Sequence, residues 1–229
     1  MTLLLIRPGS VHEEVRAIHG DFENWFQRVL DDDICWMDPT LPNAEPLPTD
    51  LSDYRGLVIT GSHSSAYEDE PWIRALAALI RRAREVSLPM LGVCFGHQMI
   101  AEALGGRVTA HPNGSENGTV EIKTTAAAEG DSLLGHLPAV FEAQAAHNDH
   151  VVEIPPGAEI LAFNDHSPVQ AFRIGHKIHG VQFHPEVTAP IMRDMIDVIQ
   201  ERGDFVGDHQ KAKARIRETP LAMKVLKLF

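Results

Sequence analysis

Gly92-Val93-Cys94-Phe95-Gly96 sets a cysteine between two glycines, at the point where an apolar run meets an amphipathic one. Residues 89–93 predict a buried strand, and residues 96–104 predict a helix that ends at two glycines. A sharp turn from strand to helix brings neighbouring backbone close, so larger side chains would clash at the flanking positions. This pattern is that of a nucleophile elbow with cysteine in place of serine.

Toward the N-terminus, short apolar runs alternate with amphipathic segments. Residues 3–6 and 56–60 predict buried strands, and residues 34–37 predict another strand. Residues 71–86 predict a helix that opens on a proline. Apolar side chains recur at three- and four-residue steps over residues 13–30, which predicts one continuous helix. Alternation of strands and helices is typical of a parallel sheet covered on both faces.

After residue 107 the pattern changes to short alternating segments separated by Gly, Pro and Asn-Asp turns. Such segments predict antiparallel strands, at residues 119–123, 158–163, 169–174 and 178–183. Residues 188–200 predict a last amphipathic helix. We therefore expect an α/β domain over residues 1–202, with a mostly parallel sheet, helices on both faces and a small antiparallel sheet. A helical tail over residues 203–229 would follow it.

Composition narrows the class of protein. The net charge of −12, from 32 acidic and 20 basic residues, disfavours binding to nucleic acid because the field of the protein repels polyanions. Two cysteines form neither a disulfide framework nor a metal-binding pair, which suits the reducing cytoplasm. The apolar N-terminal run lacks a basic leader and a cleavage site, so we do not expect a signal peptide. No apolar stretch approaches the ~20 residues that would span a membrane.

Cys94 is the candidate nucleophile. The N-terminus of the following helix and a nearby imidazolium would both stabilise a thiolate there. The N–H of Phe95 follows directly and would point to where an oxyanion forms. The competing interpretation is that Cys94 is a small buried apolar residue, the usual fate of a free cysteine. Cys35 has no elbow around it, and we interpret it as structural.

His184 and Glu186 are the candidate base and its orienting group. The predicted strand at residues 178–183 ends on His184-Pro185-Glu186. A thiol nucleophile needs a histidine to take and return protons, and that histidine needs an acceptor that fixes its tautomer. Proline restricts the backbone at and before its own position, so both groups lie on one rigid segment.

With both segments in view, the sequence resembles the class I (triad) glutamine amidotransferases. The family motif G-x-C-x-G-x-Q is matched by Gly92-Val93-Cys94-Phe95-Gly96-His97-Gln98, and its strand-end motif by Val181-Gln182-Phe183-His184-Pro185-Glu186. The resemblance covers about residues 3–200. It is greatest to the stand-alone, GMP-synthase-like branch, through Gly61-Ser62-His63-Ser64-Ser65-Ala66-Tyr67-Glu68-Asp69 and His147-Asn148-Asp149-His150.

The resemblance implies a flavodoxin-like fold and hydrolysis of a γ-carboxamide through a γ-glutamyl thioester on Cys94, with no cofactor. His184 would move the protons and Glu186 would orient it. Phe95 N–H and Ser62 N–H would form the oxyanion hole, although Gly61-Ser62-His63 departs from the family's Gly-Gly-Pro.

The resemblance also assigns substrate-binding positions. Gln98 would help to hold the substrate, and the segment with Asn148 and Asp149 would grip the amino-acid end of glutamine, although a plain turn is the alternative for that segment. His147 and His150 are too few ligands for a metal site, so we expect no metal.

The substrate stays open at this point. The sequence carries neither the phosphate loop Gly-x-x-x-x-Gly-Lys-Ser/Thr nor the Ser-Gly-Gly-x-Asp-Ser loop of a synthase domain. Either a separate synthase subunit accepts ammonia from glutamine, or the enzyme hydrolyses a γ-glutamyl compound for its own sake, as plant γ-glutamyl peptidases of similar sequence do. A third reading is a non-catalytic binding protein on the same fold, which the presence of all three triad residues disfavours.

The tail is locally basic and ends in apolar residues, with Leu221, Val225 and Leu228 at helical spacing. Two interpretations stay open. The helix packs onto its own domain, or it docks against a second subunit, which includes a second copy of the chain in a homo-oligomer.

Overall fold

The computed structural model of the protein describes residues 2–31 and 33–229. Within these ranges the strands are β1 Thr2–Ile6, β2 Ile34–Met37, β3 Tyr54–Ile59, β4 Met90–Val93, β5 Arg107–Ala110, β6 Glu116–Thr124, β7 Val140–His147, β8 Asp149–Glu153, β9 Ala158–Phe163, β10 Ala171–Ile174 and β11 Ile178–Val181. The helices are α1 Glu13–His19, α2 Phe22–Gln27, α3 Pro71–Glu85, α4 Phe95–Ala103, α5 Ala189–Glu201, α6 His209–Arg215 and α7 Pro220–Leu228, with a 3₁₀ turn at Ala126–Ala128.

One mixed sheet of nine strands organises the molecule, in the order β2-β1-β3-β4-β11-β10-β9-β6-β7. The first five strands of this order pair in parallel, and we call them the parallel half. The remaining four, which we call the antiparallel half, continue the sheet through antiparallel pairs. β5 and β8 form a separate two-stranded antiparallel sheet.

Side chains of β1 show how the sheet is covered on both faces. Leu3 and Leu5 belong to one hydrophobic cluster, and Leu4 and Ile6 belong to the other, as the two-residue period of a strand requires. The first cluster includes residues of α1, α2, α5 and α7, and the second includes residues of α3 and α4. The predicted fold class is therefore confirmed.

The single helix predicted over residues 13–30 is wrong, because the chain forms α1 and α2 instead. Gly20 separates them with a positive φ of 77°, a conformation that favours glycine. Asp21 then caps the N-terminus of α2 with a capping box. The Asp21 side chain accepts from the backbone N–H of Asn24, and the Asn24 side chain accepts from the backbone N–H of Asp21. Ile18, placed on the apolar face by its spacing, is 69% exposed.

Three of the strands, β5, β7 and β8, were not predicted from the sequence. The segment at residues 178–183, predicted as antiparallel, forms β11 at the centre of the sheet. It pairs in parallel with β4 and antiparallel with β10. The parallel half and the antiparallel half thus meet at β11.

The segment after α5 returns to the sheet. The backbone N–H of Arg217 donates to Thr119 Oγ1 (3.1 Å), and Gln144 donates to the Arg217 carbonyl (2.7 Å). In α7 the buried residues are Ala222, Val225 and Leu226, whereas Leu228 is 44% exposed. A boundary at residue 202 stays a prediction.

Candidate active site

Cys94 occupies a strained turn between β4 and α4. Its φ is 52°, in the left-handed region that residues other than glycine rarely adopt. Its backbone N–H donates to the Val181 carbonyl (2.9 Å), which ties the turn to the neighbouring strand β11. The surrounding sheet therefore holds the cysteine in the conformation that a nucleophile elbow uses.

The two flanking glycines are required by close backbone approach. A Cβ on Gly92 would lie 2.3 Å from the carbonyl carbon of Gly96, and a Cβ on Gly96 would lie 2.2 Å from the Ile59 carbonyl oxygen. Both distances are far below van der Waals contact. At each of the two glycines, a specific backbone neighbour thus leaves no room for a larger side chain, as the sequence predicted.

His184 and Glu186 lie just beyond the end of β11 and are both buried. His184 Nδ1 is 2.7 Å from Glu186 Oε1, and the His184 backbone N–H donates to the Gln144 carbonyl (2.8 Å). Burial alone would lower the pKa of His184, but the charges of Glu186 and Cys94 outweigh it and raise that pKa well above its usual value. The two charges therefore favour the protonated form of His184.

One cavity of about 240 Å³ gathers most of the predicted residues. Its walls include Cys94, Ser62, Gln98, Asn148, Asp149 and His184. Two predicted residues do not line it. Glu186 stands behind His184, and the ring of Phe95 packs instead against Trp72, with centroids 5.7 Å apart. Phe95 N–H nonetheless belongs to the first turn of α4, whose N–H groups have no acceptor within the helix.

Gln98 is held on one side of Cys94, and the contacts define its orientation. Its Nε2 donates to the Asp149 carbonyl (3.0 Å) and to Gln182 Oε1 (3.1 Å). The hydroxyl of Tyr67 donates to Asp149 Oδ1 (3.4 Å). We call the wall formed by Gln98, His147, Asn148 and Asp149 the polar end of the cavity.

A buried carboxylate that the sequence analysis missed supports this end. Glu116 accepts from Gln170 (2.7 Å) and Asn164 (2.7 Å), and it lies 3.0 Å from His147 Nε2. Burial would raise the pKa of Glu116, yet these hydrogen bonds and the nearby histidines hold it below its usual value. The His147 Nδ1 faces the Asp149 carbonyl (3.0 Å). Since the partners come from distant segments of the chain, no local motif indicates this network.

The loop after β3 closes the cavity above Cys94. Ser62 lines it, and Ser62 Oγ accepts from the Ser64 backbone N–H (3.3 Å). At Gly61 a Cβ would lie 3.2 Å from His184 Cε1 and 3.4 Å from Phe22 Cζ. The loop therefore packs directly on the candidate base.

The other side of the cavity is apolar, and sequence reasoning did not find it. Its wall consists of Val11, Val15, Phe22, Met195 and Ile199, which we call the apolar end. His12, His63 and Asp204 also line the cavity, and the rings of His12 and His63 stack with centroids 4.2 Å apart. The helical period of α1, α2 and α5 marked these apolar residues as core, and nothing local separates a core face from a cavity wall.

Among residues 2–31 and 33–229, no group of three or more His, Cys, Asp or Glu side chains could hold a metal ion. Within those same ranges, every helix is too short or too polar to cross a lipid bilayer.

Comparison with known families agrees with this fold and with a cysteine and a histidine at the ends of its strands. The sequence profile described as Glutamine amidotransferase class-I matches residues 31–196, well over half of the chain. The chain belongs to this family, and the resemblance found in its motifs is confirmed.

Individual relatives include γ-glutamyl peptidases and GMP synthases. Gamma-glutamyl peptidase 4 of Arabidopsis thaliana is 32% identical over 205 residues, which are 88% of this chain and 81% of that protein. The GMP synthase [glutamine-hydrolyzing] of Leifsonia xyli subsp. xyli is 36% identical over 135 residues, 58% of this chain but only 26% of that protein. The match to the peptidase thus spans the two chains nearly end to end.

Solved structures share the fold. A glutamine amidotransferase from Thermotoga maritima superposes with a TM-score of 0.77 at 23% identity, covering 99% of this chain and 96% of that one. A glutamine amido transferase from Methylobacillus flagellatus gives a TM-score of 0.74 at 25% identity, covering 99% and 92%. The flavodoxin-like architecture is therefore common to all three chains.

Proposed function

We propose that this protein is a cysteine-dependent hydrolase that cleaves the γ-carboxamide of glutamine or of a γ-glutamyl compound. One observation carries the proposal. Cys94 stands in the strained turn of the elbow and shares a cavity with His184, whose Nδ1 is fixed by Glu186 at 2.7 Å. This arrangement supports assigning the three residues as the nucleophile, base and orienting group of a triad.

The reaction follows from these roles. The Cys94 thiolate attacks the γ-carbonyl carbon, the C–N bond breaks, and the His184 imidazolium gives its proton to the departing amine. A γ-glutamyl thioester and free amine, or ammonia, result. Neutral His184 then takes a proton from water as the water attacks the thioester, and the C–S bond breaks. Glutamate leaves, and Cys94 and His184 return to their first state.

The remaining predicted residues take supporting roles in this proposal. The N–H groups of Phe95 and Ser62 donate to the oxyanion of each tetrahedral intermediate. Gln98, Asn148 and Asp149 hold the glutamyl group, which places its carbonyl over Cys94. The ties of Gln98 to the Asp149 carbonyl and to Gln182 support this assignment, because they fix the wall against which the substrate would lie.

A hydrolase acting on γ-glutamyl conjugates is the second candidate, and the span of the alignments favours it over a synthase component. The γ-glutamyl peptidase of Arabidopsis thaliana is matched over 81% of its length, the GMP synthase of Leifsonia xyli over 26%. If glutamine is the substrate, a separate synthase subunit accepts the ammonia. Two free thiols, Cys35 and Cys94, suit the reducing cytoplasm in either case.

Covalent labelling tests the proposal. A glutamine analogue with an alkylating group should modify Cys94 and spare Cys35, as read by peptide mass spectrometry. Cys94→Ser should retain the thermal unfolding of the natural protein and lose hydrolysis of every γ-glutamyl substrate. Cys35→Ser is the matched control and should retain activity. Labelling chiefly at Cys35, or hydrolysis that survives in Cys94→Ser, would leave a non-catalytic binding protein as the better reading.

A further inference from the structure

The cavity around Cys94 has two chemically different ends. Its polar end carries amide, carboxylate and imidazole groups, while its apolar end presents two valines, a phenylalanine, a methionine and an isoleucine. A glutamyl group has a carboxamide, which would meet the N–H groups of Phe95 and Ser62 in the proposed reaction, and a charged amino-acid end, which needs polar partners of its own. The polar end suffices for it, so the apolar end is left without a role in holding glutamine.

Position relative to His184 shows which part of a substrate would meet the apolar end. In the proposed reaction His184 protonates the departing nitrogen, so the departing group lies beside the imidazole. Gly61 lies beside the imidazole and beside Phe22. A Cβ built on Gly61 would be 3.2 Å from His184 Cε1 and 3.4 Å from Phe22 Cζ. The Phe22 ring, at the apolar end, and the proton donor His184 therefore both pack against Gly61.

The apolar end is also held in place. Asp21 accepts from the backbone N–H of Val11 (3.2 Å) and of Phe22 (2.8 Å), and its other oxygen meets Arg7 Nη1 at 3.3 Å. Met195 and Ile199 are four residues apart and share one face of α5. Both elements thus present apolar side chains to the same space from fixed backbones.

The side chains of the apolar end argue against ammonia as its sole occupant, because none of the five offers a hydrogen-bond partner. A larger group with an apolar side chain would fill the space and lose its contact with water.

We propose that the apolar end is a subsite for the leaving group, and that the substrate is a γ-glutamyl amide of an amino acid or amine with an apolar side chain. This inference rests on the proposed function. The leaving amine lies between His184 and Phe22, and its side chain packs against Val15, Met195 and Ile199.

Competing substrates and paired variants test the subsite. Hydrolysis of γ-glutamyl-leucine, γ-glutamyl-glycine and glutamine is followed by release of glutamate. We expect kcat/KM for γ-glutamyl-leucine to exceed that for γ-glutamyl-glycine and for glutamine at least roughly tenfold, as a filled apolar pocket provides. Ile199→Asp should lower kcat/KM for γ-glutamyl-leucine by about tenfold or more and change the value for glutamine by less than about threefold.

Two further variants keep the result interpretable. Ile18→Asp makes the same change at an exposed position outside the cavity and should leave all three substrates unaffected. Met195→Gln, half-buried on the same helix face, should repeat the selective loss if Ile199→Asp fails to fold.

The inference is overturned if glutamine is the best of the three substrates, or if both cavity variants lower all three equally. Failure of the proposed function looks different. In that case Cys94→Ser hydrolyses the substrates as fast as the natural protein, or no substrate is turned over by either.

Discussion

The two halves of the main sheet contribute different parts of the site. The parallel half supplies the proposed reacting groups from the ends of its strands. Ser62 follows β3, Cys94 follows β4 and His184 follows β11. The antiparallel half supplies the supports, since Glu116 lies on β6 and Gln144, whose carbonyl accepts from the His184 N–H, lies on β7.

This division has a kinetic consequence. Groups that act only in the transition state change kcat when they are removed, whereas groups that hold the substrate in its ground state as well change KM. We therefore expect removal of a reacting group of the parallel half to act on turnover, and removal of the Glu116 support of the polar end to act on affinity. Substitutions in each half test this contrast.

The largest effect should come from His184→Ala, which removes the proton carrier. We expect kcat to fall by roughly 10⁴- to 10⁶-fold, and Glu186→Gln to cost about 10- to 100-fold less because it disturbs only the orientation of the ring. Steady-state kinetics with the preferred substrate measures both. Equal losses in the two variants would show that Glu186 has a further role, and a change confined to KM would break the contrast.

Removing an apolar contact of α7 should destabilise both halves together. Val225 and Leu226 are fully buried in the cluster shared with β1, β3 and β7, and the carbonyl of Phe229 accepts from Arg55 Nη1 (3.2 Å) on β3. Leu226→Ala should lower the free energy of unfolding by about 2–5 kcal/mol. The control Leu228→Ala, 44% exposed, should change it by less than about 0.5 kcal/mol.

Chemical denaturation with light scattering separates the two interpretations of the tail. A stable monomer with the loss just described supports self-packing. If Leu226→Ala changes the oligomeric state and leaves the unfolding free energy as it was, docking against a second subunit is the better account.

Glu116→Gln is the decisive change in the antiparallel half. The amide cannot accept from His147, Gln170 and Asn164 together as the carboxylate does, so the segment with Asn148 and Asp149 loses its support. We expect KM to rise about tenfold, with kcat within about threefold of the natural value. Glu121→Gln, on the same strand but largely exposed, is the matched control. A loss in kcat alone would contradict the assignment of this half to affinity.

The smallest expected effect is a shift in the pH dependence of turnover. Burial lowers the pKa of His184, but Glu186 and Cys94 raise it further than burial lowers it. The imidazolium that protonates the leaving group therefore persists to higher pH than an ordinary imidazolium and is lost as pH rises through the raised pKa. In Glu186→Gln one of these charges is gone, and the alkaline limb of kcat should move to lower pH. A pH–rate profile of both proteins checks the direction, and an unmoved or more alkaline limb would refute it.

Sequence reasoning succeeded where structure is local. The elbow around Cys94 joins a strand, a turn and a helix that follow one another, and steric limits on glycine act over a few residues. It failed at β7 and β8, and at Glu116, whose partners His147, Asn164 and Gln170 come from distant segments. It also failed at residues 13–30. Apolar side chains recur at helical spacing on both sides of Gly20, so their spacing does not reveal the break in the backbone there.

The pairing of β4 with β11 also bears on how activity arises during folding. Val93 and Val181 are register partners, and Cys94 donates to the Val181 carbonyl, so the nucleophile and the base meet only when these two strands join. The segment between them includes six other strands, and closing so long a loop is an entropically costly, slow step. Partly folded chains would carry an exposed thiol without its histidine. Recovery of hydrolysis after dilution from denaturant should therefore lag behind recovery of helical circular dichroism, which makes turnover a reporter of the last long-range strand pairing.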